Sequence, residues 1–279
     1  MLFVVLLLPG FLPHAFRYFF TSPHVWASSY GDSVRHRLDV YVPLGPNGEP
    51  LATKEGAAVP IVVFVTGGAW IIGYRMWGFL LGFALQKHGV ICICVDYRNF
   101  PQARIPQMID DVSDALDWVY EHASTLGGSP DDITLVGQSA GAHLSAMVLL
   151  RIMRQRKDAT SRPPLRRFVG ISGPYDMPKI KPSLSKPDQT VPWEQSHDFA
   201  MRLRACGAYS VTERYYENKS HTDPIVEDPL CGGDVLLADL LDMVLGPADR
   251  TAELKAGLWP SMLPAPRWLF PLAKRINPF

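Results

Sequence analysis

The stretch Asp132–Gly141, DITLVGQSAG, decides the fold class of this chain. Its first five residues are typical of a buried strand, and the last five have the spacing Gly-x-Ser-x-Gly. Between a strand and a helix, this spacing is typical of a sharp turn that presents a nucleophilic serine at the carboxyl edge of a sheet. Glycines are needed there because a Cβ atom would collide with neighbouring backbone. We therefore predict that Ser139 is a nucleophile and that the Ala140 N–H faces a developing oxyanion.

Strand-like and helix-like segments alternate around this stretch. Four apolar runs are typical of strands that are covered on both faces, and they are Pro60–Thr66, Val90–Tyr97, Asp132–Gly137 and Phe168–Ser172. Val34–Val42 alternates polar and apolar residues, as a half-buried edge strand does. Helices are predicted between the strands, at Trp77–Lys87, Ile105–Leu126 and Ser139–Gln155. This alternation predicts a doubly wound, mostly parallel α/β sheet with helices on both faces.

The composition limits the classes of function. The chain has 279 residues, 47% of them hydrophobic, and its 27 Lys and Arg balance 27 Asp and Glu. Such a balance excludes most disordered chains and lacks the basic excess with which nucleic-acid-binding proteins neutralise phosphates. Cys92 and Cys94 alternate within an apolar run and are predicted to be buried thiols. The four cysteines show no metal-ligand spacing.

Residues 1–28 are predicted to associate with a membrane. The first twenty residues contain only His14 and Arg17 as possible charges, but Pro9, Gly10 and Pro13 interrupt a spanning helix. A segment with so little polar surface suits shallow insertion with aromatic side chains at headgroup level. The alternative is a helix that packs on the domain. Residues 29–279 are predicted to form the catalytic domain.

The candidate oxyanion hole has a second part at the end of an earlier strand. The run PIVVFVT is followed directly by Gly67-Gly68-Ala69-Trp70. A glycine-rich turn at this place can direct successive N–H groups toward the oxygen of a bound ester. Glycine pairs are also common in ordinary strand-end turns, so the motif gains its meaning from Ser139.

A histidine base and an acid are expected after the serine, in the order Ser, Asp, His. His221 is the preferred base because it lies in a loop after the strand-like run Tyr209–Tyr216. His197 is the alternative, in a helix-like stretch, and is predicted to lie at the surface. His143, one helical turn after the serine, is predicted to be a packing or hydrogen-bonding residue.

Asp188 is the preferred acid, since it lies between the serine and His221 and just before a helix-like stretch. Its role would be to hold the tautomer of the histidine. Asp176 and Asp198 are the competitors. Asp110 and Asp111 are predicted instead to lie in the first turn of a helix, where carboxylates complement the dipole.

These motifs together resemble the α/β-hydrolase carboxylesterases related to hormone-sensitive lipase, and more narrowly the isoprenylcysteine α-carbonyl methylesterases. The closer match is carried by Phe64–Tyr74, Asp96–Pro101, Gln138–His143, His221-Thr222-Asp223 and Asp228-Pro229-Leu230. The resemblance implies a membrane-associated serine esterase of the endoplasmic reticulum or Golgi that hydrolyses the methyl ester of carboxyl-terminal prenylcysteines without a cofactor. It also implies a triad of Ser139, Asp188 and His221, with oxyanion donors from Gly67, Gly68 and Ala140.

The segment before the acid departs from the family pattern. Residues 174–190 are polar and rich in proline, with no apolar run that would form the strand which the family has there. We therefore expect an α/β-hydrolase fold that lacks the strand before Asp188 and much of the cap. Two alternatives to the methylesterase follow: an inactive or scaffold isoform of the same fold, and an esterase or formamidase of different specificity.

Overall fold

A six-stranded sheet organises the part of the chain that the structure describes. The computed structural model describes residues 12–21, 25–45, 58–155, 165–176, 191–206, 210–217, 219–231 and 234–248. The strands are β1 Val25–Ser29, β2 Arg37–Tyr41, β3 Val59–Val65, β4 Ile91–Val95, β5 Gly128–Gln138 and β6 Arg167–Ile171. Their spatial order is β1-β2-β4-β3-β5-β6. Strands β4, β3, β5 and β6 are parallel, whereas β1 and β2 pair antiparallel at one edge. The predicted mostly parallel sheet is confirmed.

Helices cover both faces of this sheet. They are α1 Phe79–Lys87, α2 Ile105–His122, α3 Ala140–Gln155, α4 Trp193–Ala205, α5 Asp228–Cys231 and α6 Val235–Leu245. A 3₁₀ turn, Arg75–Gly78, leads into α1, and a π-helical turn, Asp223–Glu227, leads into α5. Near the amino end, residues 12–16 are helical and continue into a π-helical turn, Arg17–Thr21. None of the described helices is long and apolar enough to span a bilayer.

The core consists of two apolar layers that follow the alternation of side chains along each strand. Val63 and Val65 of β3 pack with α2 and α3 on one face, around Val112 and Leu116. Val62, Phe64, Cys92 and Cys94 point to the other face, where they meet α1, α5 and α6. Continuous apolar strands therefore arise because both faces are covered, and the two thiols are buried and free, as predicted.

Buried charges attach the amino-terminal segment to the sheet. The Tyr18 hydroxyl donates to Asp39 Oδ2 at 2.5 Å, and Arg75 Nε donates to Asp39 Oδ1 at 2.8 Å. Arg75 and Arg35 also pair with Asp96 at the end of β4. Burial raises the pKa of Asp96 to about 6, against the opposing effect of the two guanidinium groups. These contacts connect residues 17–21 to β2, β4 and the turn before α1.

Three local predictions are wrong. The run Val34–Val42 is not a half-buried edge strand, because β2 lies between β1 and β4 and four of its five residues are buried. The run Tyr209–Tyr216 is not a strand, since its described residues, 210–216, form irregular structure. Its polar side chains bind neighbours on helices instead: Arg214 and Tyr216 both donate to Asp239 of α6. Asp110 and Asp111 do not open a helix either, because α2 begins at Ile105. Asp111 is buried and accepts hydrogen bonds from the Arg98 guanidinium.

The predicted domain boundary at residue 28 and the predicted shortening around residues 174–190 stay predictions. Strand β1, which the sequence did not predict, lies across the boundary drawn at residue 28 and pairs with β2. Between β6 and α4, the structure describes residues 172–176, 191 and 192, and these hold no strand. Most of the predicted shortening around 174–190 lies outside the described residues, and the acid Asp188 lies outside them altogether.

Candidate active site

Ser139 lies at the sharp turn between the last residue of β5 and the first residue of α3. Its φ is 53°, in the left-handed region that non-glycine residues rarely adopt. The turn is held on both sides: the Ser139 N–H donates to the Ile171 carbonyl at 2.9 Å, and the His143 N–H donates to the Ser139 carbonyl at 3.1 Å. Such strain persists where surrounding structure imposes it, as it does at functional turns.

The two flanking glycines are required by backbone contact. A Cβ atom on Gly141 would lie 2.1 Å from the Val65 carbonyl oxygen, at the end of β3. One on Gly137 would lie 2.6 Å from the Cα atom of Ala142. Without these side chains, the first turn of α3 lies directly against the end of β3. The start of this helix is thereby placed beside the glycine-rich turn. The Ala140 N–H belongs to this first turn, and an α-helix supplies no acceptor for its first N–H groups.

That glycine-rich turn lies against the serine. A Cβ atom on Gly67 would be 3.0 Å from the Ser139 Cβ and 2.2 Å from Gln138 Oε1. The next residues have positive φ, 120° at Gly68, 49° at Ala69 and 61° at Trp70, and the backbone is strained at the two that are not glycine. The structure therefore brings Gly67 and the serine together, as the sequence predicted.

His221 reaches the same edge of the sheet from the far end of the chain. It is 6% exposed and precedes the π-helical turn Asp223–Glu227. Its carbonyl accepts a hydrogen bond of 3.3 Å from Gln138 Nε2, on the residue directly before Ser139. Asp223 Oδ2 accepts from the Ser220 N–H at 2.8 Å and so closes the loop around the histidine. The main chain of His221 is thus tied to the serine turn.

The acid of the predicted triad, Asp188, lies outside the described residues. Its competitors Asp176 and Asp198 lie at α4, where they line a small cavity with Tyr175, Phe199 and Arg202. The Asp176 N–H donates to Gln195 Oε1, a buried group on the same helix, at 3.0 Å. The catalytic roles of Ser139, Asp188 and His221, and the oxyanion roles of Gly67, Gly68 and Ala140, stay predictions.

The two other histidines of interest have the predicted surroundings. The side chain of His197 is 46% exposed and pairs with Glu213 at 2.8 Å, so it lies at the surface. His143 is buried, and its ring meets that of Trp70 edge to face, with centroids 5.6 Å apart. Burial lowers the pKa of His143, so the neutral imidazole is favoured. His143 therefore packs against Trp70, the last residue of the glycine-rich turn.

A group of buried carboxyls around the histidine loop was not predicted as a feature of the site. Burial, followed by the charge of Asp223, raises the pKa of Glu227 to about 7. Burial also raises the pKa of Asp234 to about 7, although the carboxyl caps α6 through the Leu237 N–H. Lys219 pairs with Asp228 at 2.6 Å. The only sequence signal was the density of acids after His221.

Relatives of known name match this chain over its whole length. One relative is a protein of Oryza sativa subsp. japonica that is named as a probable isoprenylcysteine alpha-carbonyl methylesterase. It is 34% identical over 333 residues, and the alignment covers 100% of this chain and 77% of the length of that protein. The Arabidopsis thaliana protein named isoprenylcysteine alpha-carbonyl methylesterase is 33% identical over 330 residues, covering 99% of this chain and 75% of its own. This chain belongs to the isoprenylcysteine α-carbonyl methylesterase family.

Two further comparisons concern the family model that matches the chain and its fold. The BD-FAE family description matches residues 39–192 of this methylesterase-family chain, which include Gly67, Ser139 and Asp188. Apo Thermogutta terrifontis esterase 2 has the same fold, with a TM-score of 0.60 at 19% identity, covering 83% of this chain and 99% of that one. Because its relatives are esterases, this member of the methylesterase family is a carboxylic-ester hydrolase. The alignment with the rice relative spans 333 residues, so that relative has stretches which these 279 residues lack.

Proposed function

We propose that this chain is a serine carboxylesterase that hydrolyses the methyl ester of carboxyl-terminal prenylcysteines. The observation that carries the serine mechanism is the strained turn at Ser139, with φ of 53° and Gly67 directly against it. The substrate rests on relatives that are 32–34% identical over nearly the whole chain and that carry this activity in their names.

The reaction has two steps on this arrangement. Ser139 Oγ attacks the ester carbonyl while His221 accepts the hydroxyl proton, and the collapse of the tetrahedral oxyanion expels methoxide, which takes that proton and leaves as methanol. Water then attacks the acyl-enzyme with His221 again as base, which releases the prenylcysteine carboxylic acid and restores the serine. Gly67, Gly68 and Ala140 stabilise the oxyanion through main-chain N–H groups, and Asp188 orients the imidazole.

We also propose that the chain acts at a membrane, in the endoplasmic reticulum or Golgi. Tyr18 fixes the amino-terminal segment on the domain through Asp39, but Phe16, Phe19 and Phe20 are 59%, 61% and 73% exposed. Exposed aromatic side chains next to an apolar amino end suit an interfacial position, and a prenylated substrate is itself held in the bilayer.

The direct test is methanol release from a prenylcysteine methyl ester by the purified chain. We expect Ser139→Ala to abolish turnover, because the nucleophile is lost, and to prevent covalent labelling by a fluorophosphonate. Ser145→Ala is the matched control, since Ser145 is buried in α3, the helix that begins directly after Ser139, and its loss should leave turnover intact. Equal turnover by wild type and Ser139→Ala would remove Ser139 from the mechanism.

The choice of substrate separates the proposal from its alternatives. Turnover of an aryl acetate or an N-formyl aryl amine, without turnover of the prenylcysteine methyl ester, would assign the chain to an esterase or formamidase of different specificity. Absence of a fluorophosphonate adduct on Ser139 in folded protein would favour an inactive or scaffold isoform.

A further inference from the structure

Gln138 is a buried polar side chain at the carboxyl end of a parallel strand of the sheet. It is the last residue of β5, precedes Ser139 directly, and is 3% exposed. Two residues earlier on the same face, Val136 belongs to the apolar layer formed with α1, α5 and α6. An amide in such a layer costs free energy unless its donor and acceptor both find partners. The partners of this amide therefore need an explanation.

The two ends of the amide contact two different loops. Nε2 donates to the His221 carbonyl at 3.3 Å, a contact that joins residues 83 positions apart in the chain. Oε1 lies so close to Gly67 that a Cβ atom on that glycine would be only 2.2 Å from it. One side chain thus lies between the turn that offers the predicted oxyanion donors and the loop that offers the predicted base.

The backbone of Gln138 is well fixed. It pairs with Ile171 in the parallel ladder between β5 and β6, and the following N–H, that of Ser139, donates to the Ile171 carbonyl. The segment after His221 packs on the same side of the sheet, where Leu230 and Leu237 join the layer of Val136. The side chain therefore extends from a rigid strand to the main chain of the histidine loop and links the two.

We propose that Gln138 is a positioning residue, which sets the distance of the His221 loop from Ser139 and supports Gly67 at the same time. This inference rests on the proposed function, since it assigns Gln138 to a reaction in which Ser139 and His221 take part. A neutral amide suits the task because it donates to the histidine carbonyl through one end and presents an oxygen to the glycine turn with the other. An aliphatic side chain can do neither.

The first test compares two buried glutamines. Gln86 of α1 is 4% exposed and donates through Nε2 to the Val42 carbonyl at 2.7 Å, on the opposite end of the sheet from the serine turn. Gln138→Met and Gln86→Met each remove one buried amide and keep the length of the side chain. We expect Gln138→Met to lower kcat for ester hydrolysis about 10- to 100-fold with KM changed less than about threefold, because misplaced catalytic groups slow the chemical step. We expect the two variants to lose a similar amount of Tm, because each loses one buried amide. Gln86→Met should nevertheless leave kcat unchanged.

The second test separates the donor from the acceptor. Gln138→Glu keeps the length and one oxygen, but its carboxyl can donate to the His221 carbonyl only when it is protonated. Burial raises the pKa of such a carboxyl, so the ratio of kcat between variant and wild type should fall as pH rises through it. A ratio that is constant with pH would contradict a role for the Nε2 donor.

The outcomes distinguish this inference from the proposed function. If wild type releases methanol and Ser139→Ala does not, while Gln138→Met keeps the wild-type kcat, only the role of Gln138 is overturned. If both glutamine variants lose kcat in proportion to their loss of Tm, Gln138 has a merely structural role and the inference is again overturned. If wild type releases no methanol from the prenylcysteine methyl ester, the proposed function itself fails.

Discussion

Gly67 is the position at which the smallest change should most disturb the site. The glycine turn lies against the serine turn, so an added methyl group would meet Gln138 Oε1 at 2.2 Å and the Ser139 Cβ at 3.0 Å. Either the oxyanion donors or the nucleophile must then move. Movements of about 1 Å at a catalytic centre cost on the order of 100-fold in rate.

We predict that Gly67→Ala lowers kcat for ester hydrolysis about 100-fold and costs about 1–3 kcal/mol of unfolding free energy through overpacking. Gly89→Ala is the control: its φ is 79°, so an alanine there is strained, but nothing lies within 4 Å of the new methyl group. The control should lose a comparable amount of stability and keep its kcat. A Gly67→Ala variant with the wild-type rate would contradict the close contact.

At the scale of elements, the π-helical turn Asp223–Glu227 and the start of α6 each carry a buried carboxyl, Glu227 and Asp234, whose raised pKa opposes folding at high pH. Glu227 is 3% exposed, its Oε1 accepts from the Thr222 hydroxyl at 3.0 Å, and its pKa is raised to about 7 by burial and by Asp223. A carboxyl whose pKa is higher in the folded state binds its proton more tightly there. Its contribution to stability is therefore present below the unfolded pKa, about 4.3, and is lost as pH rises through 7.

We predict that Glu227→Gln removes part of this pH dependence. Between pH 4.5 and 8 the wild-type group should account for a loss of about 3 kcal/mol of unfolding free energy, which the neutral amide does not undergo. Urea denaturation of both proteins at several pH values measures the difference. Asp234 acts in the same direction and remains in the variant, so a reduced slope is expected and not a flat one. Parallel pH profiles of the two proteins would contradict the assignment.

The strands that could be predicted are those that a continuous apolar run or a short motif marks in the sequence. Strands β3 and β4 are apolar throughout because helices cover both of their faces, and β5 is recognised by the motif that ends it. Strand β1 was missed, since VWASS follows an apolar head and its place in the sheet comes from pairing with β2, a contact between separate segments of the chain. The run 210–216 has a strand-like composition, but Arg214 and Tyr216 bind Asp239 and leave it outside the sheet.

In the candidate site, too, some features could be predicted from the sequence and others could not. Ser139 and Gly67 were predictable because each belongs to a short motif at the end of a strand. The link from Gln138 to the His221 carbonyl was not, because it joins residues 83 positions apart and involves a main-chain atom that carries no sequence signal. Likewise, the high pKa of Glu227 depends on burial and on a neighbouring carboxyl, which the sequence places nearby but does not orient.

Over the whole molecule, the amino-terminal segment has one attached side and one open side. Tyr18 and Arg17 face the domain, the first through Asp39 and the second through a guanidinium 4.3 Å from the centre of the Phe83 ring. Phe16, Phe19 and Phe20 are exposed beside them. Because the segment is fixed to the domain, a bilayer that accepts these rings would also fix the orientation of the sheet and of the serine turn relative to the membrane.

We predict that replacing Phe16, Phe19 and Phe20 together by serine lowers binding to phospholipid vesicles at least about 10-fold, since burial of an aromatic side chain contributes about 1.5–3 kcal/mol. Among the described residues, neither apolar core layer includes these three rings, so Tm and the hydrolysis of a water-soluble ester should stay at wild-type values. Met201→Ser, which alters an exposed apolar residue of α4, is the control and should keep vesicle binding. Co-sedimentation with vesicles measures the effect. Unchanged binding of the triple variant would show that these rings do not contact the bilayer.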